Sequence, residues 1–283
     1  MVISLNYIKE KKISFLIPTR SRVKSLDTTI ESIKKNAFNI NNIEIILGVD
    51  NDDKETIESY KKNYYLDLNV KLFLLERKKG YTDHAWRFLE MIKVCSGDIF
   101  ITFADDLVIK TIHWDKILLE KFNLFPKDNL FILFTPHNQI NSDWPLIQIT
   151  TKEWVNITKK FSNCFEADTE LMIIGSLLKR LYKIKEINIS HNQDYNDKTY
   201  LEGRKKVILK KSYIKNSIYN LRSLYLIFND IEKLKNKIEN KKKSNFFINI
   251  KIIVFFIPRL IWIYKKFRIN FLKIYIKNLL YSF

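Results

Sequence analysis

The stretch from Gly97 to Asp106 is a run of mostly apolar residues that ends in two adjacent aspartates. Such a run predicts a buried β-strand, and Asp105 and Asp106 then lie at its carboxyl end. Two neighbouring carboxylates repel each other and are costly to remove from water, so this position favours a positively charged partner. Hard divalent cations such as Mg²⁺ and Mn²⁺ prefer carboxylate oxygens. A solvated turn with an aspartate at a helix N-cap is the alternative interpretation.

Two earlier strands are predicted to end in polar residues as well. One strand, residues 13–17, is followed by Pro18 and Thr19, and another begins at Ile43 and ends at Asp50. Between the strands, apolar residues recur at helical spacings, at Leu26, Ile30, Ile33 and Ala37 and again at Ala85, Phe88, Leu89 and Ile92. Alternating strands and helices predict an α/β fold around a mostly parallel sheet. Because ligands of such sheets bind beyond the carboxyl ends of the strands, we expect the three polar ends to form one site.

The order of these motifs resembles the nucleotide-sugar glycosyltransferases of family 2. The residues that carry the resemblance are Pro18 and Thr19 followed by Arg22, then Asp50 at a second strand end, then the pair Asp105 and Asp106. The resemblance covers roughly residues 12–200. It implies the A-type glycosyltransferase fold, which has a Rossmann-like, mostly parallel sheet.

The resemblance also implies roles for these residues. Pro18, Thr19, Arg22 and Asp50 are expected to contact the donor nucleotide, with Asp50 accepting a hydrogen bond from the base. Asp105 and Asp106 are expected to hold a Mn²⁺ or Mg²⁺ ion and the donor diphosphate. The family's usual acidic motif is Asp-any-Asp, whereas Phe103 and Ala104 precede the paired carboxylates here.

The acceptor side of the site is predicted farther along the chain. The segment from Glu166 to Leu171 precedes an apolar helical pattern and resembles the family's acidic segment, in which an aspartate is the general base. Asp168 matches that position and Glu170 is the substitute candidate. Acidic residues in a first helical turn also stabilise the helix dipole, which is the alternative. The stretch 184–189 alternates like a strand, and His191 after it is expected to be a further metal or diphosphate ligand.

Positive charge is concentrated in the last part of the chain. Residues 203–283 contain 20 of the 49 lysines and arginines but only three acidic residues, and therefore carry nearly all of the net charge of +18. The sequence thus predicts a catalytic domain over 1–202 and a basic helical tail over 203–283. An apolar stripe in that tail either packs back on the catalytic domain or pairs with another chain; it comprises Ile214, Ile218, Leu221, Tyr225 and Phe228.

The end of the tail, residues 246–283, is rich in aromatic and aliphatic residues as well as in lysine and arginine. We interpret it as a basic amphipathic helix that lies on an anionic membrane surface. Lys251, Pro258 and Arg259 interrupt the one run long enough to cross a bilayer, which disfavours a transmembrane helix. Binding to nucleic acid is the competing interpretation, and the predominance of Ile, Leu and Phe argues against it.

These expectations combine into one functional hypothesis. The chain is predicted to be an inverting, metal-dependent glycosyltransferase that moves a sugar from a nucleotide-diphosphate donor, a UDP-sugar in the first instance, to a glycan or lipid-linked acceptor in bacterial surface polysaccharide synthesis. Two cysteines and no recognisable signal peptide favour the cytoplasm, with attachment to the inner face of the cell membrane. The alternatives are a nucleotidyltransferase and a catalytically inactive protein that binds a nucleotide sugar.

Overall fold

The structure, a computed structural model, describes residues 11–77, 84–138, 147–164, 166–192, 218 and 221–240. The strands in these ranges are β1 Ile13–Thr19, β2 Ile43–Asp50, β3 Val70–Leu75, β4 Ile99–Thr102, β5 Leu107–Ile109, β6 Ile132–Thr135, β7 Ile147–Thr151, β8 Leu181–Lys183 and β9 Ile189–His191. The helices are α1 Val23–Lys35, α2 Lys54–Asn63, α3 His84–Lys93, α4 Trp114–Phe122, α5 Lys152–Thr158, α6 Ala167–Leu177 and α7 Leu221–Ile238.

Within the described residues, seven strands form one mixed sheet in the order β3-β2-β1-β4-β7-β6-β8. The first four are mutually parallel, β7 is antiparallel to both of its neighbours, and β6 and β8 are parallel to each other. The prediction of an α/β fold with a mostly parallel sheet is therefore confirmed. The carboxyl ends of β1, β2 and β4 meet at one edge of the sheet, as the sequence analysis expected.

The sheet is covered by helices on both faces because its central strands are apolar on both faces. In β1, Phe15 and Ile17 point into one core with residues of α1 and α4, while Leu16 points into a second core with residues of α3, α5, α6 and α7. This alternation follows from the two-residue period of a strand. Strands buried on both faces are typical of parallel sheets with crossover helices.

Helix α3 approaches the sheet closely at Gly48 in β2. A Cβ atom at this position would lie 2.6 Å from the sulfur of Met91 in α3, which is closer than a real side chain can come. Glycine therefore sets the distance between α3 and the sheet at this point. The same helix carries Arg87, which reaches the end of β2.

The opposite, amino-terminal edge of the sheet is held by Glu44 of β2. This residue is 1% exposed. It accepts hydrogen bonds from the Ser14 hydroxyl at 2.6 Å, from the Ser96 backbone N–H at 2.5 Å and from the Lys71 ammonium at 2.8 Å. Burial would raise the pKa of Glu44, but these hydrogen bonds outweigh it and lower the pKa to about 2. One carboxylate thus connects β1, β2, β3 and the segment before β4.

A second, two-stranded sheet pairs β5 with β9 in antiparallel register, with Leu107 opposite His191. The prediction of a strand over 184–189 is wrong. Residues 184–188 connect β8 to β9, and His191 is the last residue of β9 rather than a residue beyond a strand. Ile184 and Ile187 are nevertheless buried, at 1% and 2% exposure. Their apolar pattern reflects contact with the core and not pairing in a ladder.

Helix α7 packs back on the helices that cover the sheet. Its residues Ile227, Ile231 and Leu234 are buried in the second core together with residues of α5 and α6. Within the predicted stripe, Ile218 and Phe228 are buried but Tyr225 is 59% exposed. The domain boundary at 202/203 remains a prediction, and the tail segment 246–283 lies outside the described residues. Among the helices that the structure does describe, none combines the length and apolar character needed to cross a bilayer.

Polar contacts attach α7 at the same place. Asp230 is 1% exposed and lies 2.8 Å from the side-chain nitrogen of Asn163. The ammonium groups of Lys160 and Lys233 lie 3.3 and 3.0 Å from its carboxylate. Asn163 and Lys160 belong to the loop between α5 and α6, so α7 is connected to that loop by charge as well as by apolar contact.

Candidate functional site

The polar ends of β1 and β4 are in direct contact. The Thr19 hydroxyl, at the end of β1, donates a hydrogen bond of 2.7 Å to Asp105 Oδ2. Thr19 and Asp105 are both buried, with 5% and 4% exposure. Pro18 lies in β1 opposite Gly48 of β2 and is partly exposed. The expected meeting of Thr19 with the acidic pair is therefore present in the structure.

Arg22 lies between the two aspartates. Its Nη1 is 2.5 Å from Asp105 Oδ1 and its Nη2 is 3.3 Å from Asp106 Oδ2. Burial raises the pKa of Asp105 to about 6; the charge of Arg22 and the hydrogen bond from Thr19 oppose this rise, while the neighbouring Asp106 adds to it. The positive partner that two adjacent carboxylates require is thus a guanidinium of the same chain.

His191 contacts the second aspartate. Its Nε2 lies 3.2 Å from Asp106 Oδ1, and the backbone N–H of Asn192 donates to the Asp106 carbonyl at 2.9 Å. Burial opposes ionisation of Asp106, but its contact with His191 and the charge of Arg22 outweigh it and lower the pKa of Asp106. The pairing of β5 with β9 places His191 here, since Leu107 immediately follows the acidic pair.

Asp50 is surrounded by arginines that the sequence analysis did not assign to the site. Arg20 Nη1 lies 3.0 Å from Asp50 Oδ2, and Arg87 of α3 donates to Asp50 Oδ1. The Nε of Arg77 lies 4.0 Å from the same carboxylate. Arg20 also makes two contacts with Asp52. Asp50 is therefore positioned at the end of β2 as expected, but within a cluster that presents N–H donors as well as acceptors.

His137 is another residue near this edge that was not predicted to belong to the site. It follows β6 and forms an isolated bridge with Ile189 of β9, and its ring lies 5.9 Å from the His191 ring, centroid to centroid. Burial, and to a lesser degree the charge of His191, lower the pKa of His137. The sequence signal that could have found His137 is its position two residues after the apolar run that forms β6.

Asp168 and Glu170 lie in the first turn of α6 but have different surroundings. The short connection from α6 to β8 means that α6 runs antiparallel to β8, and β8 has the same direction as β4. The N-terminus of α6, with Asp168, is therefore directed toward the sheet edge that carries the acidic pair. Asp168 is partly exposed, and its carboxylate accepts from the Thr169 backbone N–H at 2.7 Å.

Glu170, in contrast, is 1% exposed and faces the loop before α6. Its carboxylate accepts from the Ser162 hydroxyl, the Asn163 backbone N–H and the Asn163 side chain at 2.7, 2.7 and 2.6 Å. Burial raises the pKa of Glu170 despite these donors. This geometry assigns Glu170 to the support of the loop and favours Asp168 of the two as a group that can meet a substrate.

The residues at the acidic pair do not form a ready site for a divalent cation. Three of the four carboxylate oxygens of Asp105 and Asp106 contact Thr19 or Arg22. The fourth, Asp106 Oδ1, is buried without a hydrogen bond from the described residues, and His191 Nε2 lies 3.2 Å from it. In the part of the chain that the structure describes, no group of three or more His, Cys, Asp or Glu side chains is arranged to hold a metal ion. The predicted ligands Asp105, Asp106 and His191 are brought together, but Arg22 contacts one oxygen of each aspartate, where a shared metal ion would bind.

Solved structures share this fold at low sequence identity. TarS 1-349 from S. aureus has a TM-score of 0.51 at 13% identity, covering 82% of this chain and 93% of that one. The same TarS fragment in complex with UDP-GlcNAc gives 0.50 at 12%, covering 82% and 93%. The mannosyltransferase PcManGT from Pyrobaculum calidifontis, in complex with GDP-Man and Mn²⁺, gives 0.55 at 8%, covering 81% and 70%. At these identities the likeness concerns the fold.

Comparison by sequence gives a more specific result. No curated protein sequence matches this chain. Residues 14–187, however, match the family model described as Glycosyl transferase family 2. The matched range begins in β1, ends just before β9, and includes Thr19, Asp50, the acidic pair and Asp168. Since it covers more than half of the chain, the protein belongs to glycosyl transferase family 2.

Proposed function

We propose that this glycosyltransferase takes its sugar from a nucleotide-diphosphate donor bound at the carboxyl ends of β1, β2 and β4. The observation that carries the proposal is the convergence of Thr19, Arg22, Asp50 and the acidic pair at this edge. Asp50 and the arginines around it offer both acceptors and donors to a base and ribose, and Arg22 offers positive charge to a diphosphate. Solved proteins of the same fold hold UDP-GlcNAc and GDP-Man, which supports a donor of this class.

The proposed reaction is transfer with inversion. An acceptor hydroxyl oxygen attacks the anomeric carbon from the face opposite the nucleotide, and the bond from that carbon to the diphosphate oxygen breaks. Asp168 takes the hydroxyl proton as general base, and the nucleoside diphosphate leaves with the electron pair of the broken bond. Positive groups near the leaving diphosphate stabilise the charge that develops on it.

The family resemblance adds the expectation of a Mn²⁺ or Mg²⁺ ion, and one solved neighbour was determined with Mn²⁺. Such an ion would supply positive charge to the diphosphate. The contacts of Asp105 and Asp106 do not fit a bound ion as they stand, so no step of the proposed reaction passes through a metal. Metal dependence remains a prediction, which the presence or absence of Mn²⁺ in the experiments below tests.

The acceptor and the location of the enzyme are also part of the proposal. A glycan or lipid-linked acceptor in bacterial surface polysaccharide synthesis would place the reaction at the cytoplasmic face of the cell membrane. The support is the charge of the tail, in which 20 basic residues accompany three acidic ones over 203–283. Basic segments of this kind are attracted to anionic lipid headgroups.

A panel of nucleotides tests the donor. Binding is measured by titrating the full-length protein, in Mn²⁺ and in EDTA, with UDP, GDP, CMP and their common sugar conjugates. Activity is measured as sugar transfer to water or to an added acceptor. We expect one nucleoside diphosphate and its sugars to bind and the sugar to be transferred. Binding without any transfer across the acceptor panel would instead support the alternative of an inactive nucleotide-sugar-binding protein. Binding of none would contradict the proposal.

A further inference from the structure

Arg22 occupies the space in which a cation would neutralise the acidic pair. Its side chain is 16% exposed, and those of Asp105 and Asp106 are 5% and 6% exposed, so the three charges meet largely out of water. The two terminal nitrogens contact different carboxylates. A guanidinium shared between two buried carboxylates is more firmly held than an exposed ion pair, in which both side chains remain mobile.

The backbone before Arg22 is fixed as well. Arg22 is the N-cap residue of α1, and the N–H of Ser21 donates to Asp53 Oδ2 at 2.8 Å. Asp53 in turn accepts from the Thr56 backbone N–H at the start of α2. The turn that carries Arg22 is thus attached to the next helix of the fold. The guanidinium reaches the acidic pair from a defined position.

We propose that Arg22 takes the place of a divalent cation at this acidic pair and that the donor diphosphate binds without a metal ion. The inference rests on the proposed function, because it concerns how that donor is held. A metal ion on Asp105 and Asp106 would have to displace the partly exposed guanidinium of Arg22 or lie beside it, and repulsion between like charges is stronger away from water. A guanidinium has five N–H donors, and diphosphate oxygens are strong acceptors for such donors.

The first experiment measures Mn²⁺ alone, without nucleotide, by the electron paramagnetic resonance of free Mn²⁺. We expect wild-type protein to bind Mn²⁺ only at millimolar concentration. Arg22→Gln leaves two adjacent carboxylates without their guanidinium, and its affinity for Mn²⁺ should rise at least ~10-fold. The control is Arg180→Gln, which removes an arginine that contacts a single carboxylate, that of Asp128, away from this edge of the sheet. Its affinity for Mn²⁺ should equal that of wild-type protein.

The second experiment measures binding of UDP and GDP by calorimetry in EDTA and in Mn²⁺. Wild-type affinity for the preferred nucleotide should agree within about threefold between the two conditions, a difference of less than 1 kcal/mol. Arg22→Gln should bind at least ~10-fold more weakly than wild type in EDTA and recover at least part of that loss in Mn²⁺. Arg22→Lys keeps the positive charge but cannot contact Asp105 and Asp106 with two separate nitrogens. Its nucleotide affinity should lie between those of wild type and Arg22→Gln, and it replaces the glutamine variant if that variant does not fold.

The outcomes separate this inference from the proposed function. Micromolar binding of Mn²⁺ by wild-type protein, or loss of wild-type nucleotide binding in EDTA, would overturn the role of Arg22 while leaving the glycosyltransferase reaction in place as a metal-dependent one. If no nucleotide binds under either condition, the proposed donor site is wrong, and the experiment with Mn²⁺ alone still decides which cation the acidic pair accepts.

Discussion

At the scale of single residues, two carboxylates that lie two positions apart in the first turn of α6 have opposite surroundings. Asp168 is partly exposed at the N-terminus of the helix, whereas Glu170 is 1% exposed and accepts three hydrogen bonds from Ser162 and Asn163. A general base must reach a substrate hydroxyl, so the exposed carboxylate is suited to that role. The buried carboxylate is suited to holding a loop.

We expect Asp168→Asn to lower the rate of sugar transfer by at least ~10²-fold, the lower range for loss of a general base. The affinity for the donor nucleotide should change little, because the substitution keeps the size of the side chain and lies on the acceptor side of the site. Rates with saturating donor, compared with nucleotide binding by calorimetry, test this. An unchanged rate, or an equal loss of donor binding, would indicate a purely structural residue.

Glu170→Gln, in contrast, should act on stability. An amide nitrogen would face hydrogen-bond donors that now meet a carboxylate oxygen, at a cost of roughly 1–3 kcal/mol. We expect a lower melting temperature and an unchanged rate per folded molecule. A loss of rate as large as that of Asp168→Asn, with an unchanged melting temperature, would make Glu170 the base instead.

Glu44 predicts a pH dependence of stability. Its pKa is lowered to about 2 in the folded protein, so its ionised form stabilises the fold at pH values above its ordinary pKa near 4.5. This stabilisation is lost as the pH falls from there through about 2. Glu44→Gln should therefore be less stable than wild type at pH 7, and the difference should shrink between pH 4.5 and pH 2. Urea unfolding across that range measures it; a constant difference would contradict the assignment.

Part of the site could be predicted from the sequence, and the reason is local. Asp50 is the last residue of β2 and Asp105 comes three residues after the end of β4, so both positions are visible in a short stretch of sequence. The partners of these residues are not visible in the same way. Arg22 is 83 residues from Asp105 and Arg87 is 37 residues from Asp50, and neither distance leaves a periodic signal in the sequence. Such ion pairs become apparent only when the strands are placed in order.

At the scale of elements, α7 joins the second core although it follows the predicted catalytic domain in sequence. Its apolar residues pack with α5 and α6, and Asp230 contacts the loop between those helices. The alternative in which the stripe packs back on the catalytic domain therefore applies to this part of the tail. Tyr225 was predicted to belong to the apolar stripe but is exposed. Hydrophobicity alone does not distinguish an exposed tyrosine from a buried one.

We expect Leu234→Ala to destabilise the protein by about 2–5 kcal/mol, as is usual when a fully buried leucine is truncated. Leu234 is 0% exposed in the second core. Tyr225→Ala, on the exposed side of the same helix, is the matched control and should change stability by less than ~0.5 kcal/mol. Denaturant unfolding of both variants tests the packing. Equal, small effects would mean that α7 does not contribute to the core.

The elements themselves were predictable where apolar spacing and burial agree. The helical patterns at Leu26 and Phe88 fall within α1 and α3. The alternation at 184–189 fails for a physical reason: Ile184 and Ile187 are buried against the first core by a connecting segment, and burial alone produces the same pattern as a half-buried strand. A single sequence does not distinguish these two cases.

At the scale of the whole molecule, the end of α7 determines where the tail can be removed. Deletion of residues 246–283 keeps every residue of α7 and of both described cores. We therefore expect the truncated protein to keep the melting temperature and nucleotide binding of the full chain. It should no longer sediment with vesicles of anionic lipid. Full-length protein should sediment with them, and moderate salt should weaken this binding without abolishing it, because salt does not screen the apolar contribution.

Two comparisons sharpen this test. Deletion of 203–283 also removes α7, and that variant should be markedly less stable than the shorter deletion. Vesicles of neutral lipid measure the apolar part of the binding alone. Unchanged sedimentation of the protein that lacks 246–283 would contradict the membrane role of that segment, and binding to single-stranded nucleic acid but not to vesicles would favour the alternative partner.

The position of β7 in the sheet has a consequence for the order in which the protein can assemble during synthesis. Strands β1 to β4 neighbour one another in the sheet and are complete once residue 102 has been made. Strand β6 is the next strand of this sheet to be made, but both of its neighbours, β7 and β8, come later in the chain. Until residues 147–151 leave the ribosome, the buried residues of β6 have no strand to pair with. A chain interrupted in this interval carries four of the seven strands of the described sheet and two apolar strands, β5 and β6, whose partners are not yet made. Such species are the kind that chaperones protect.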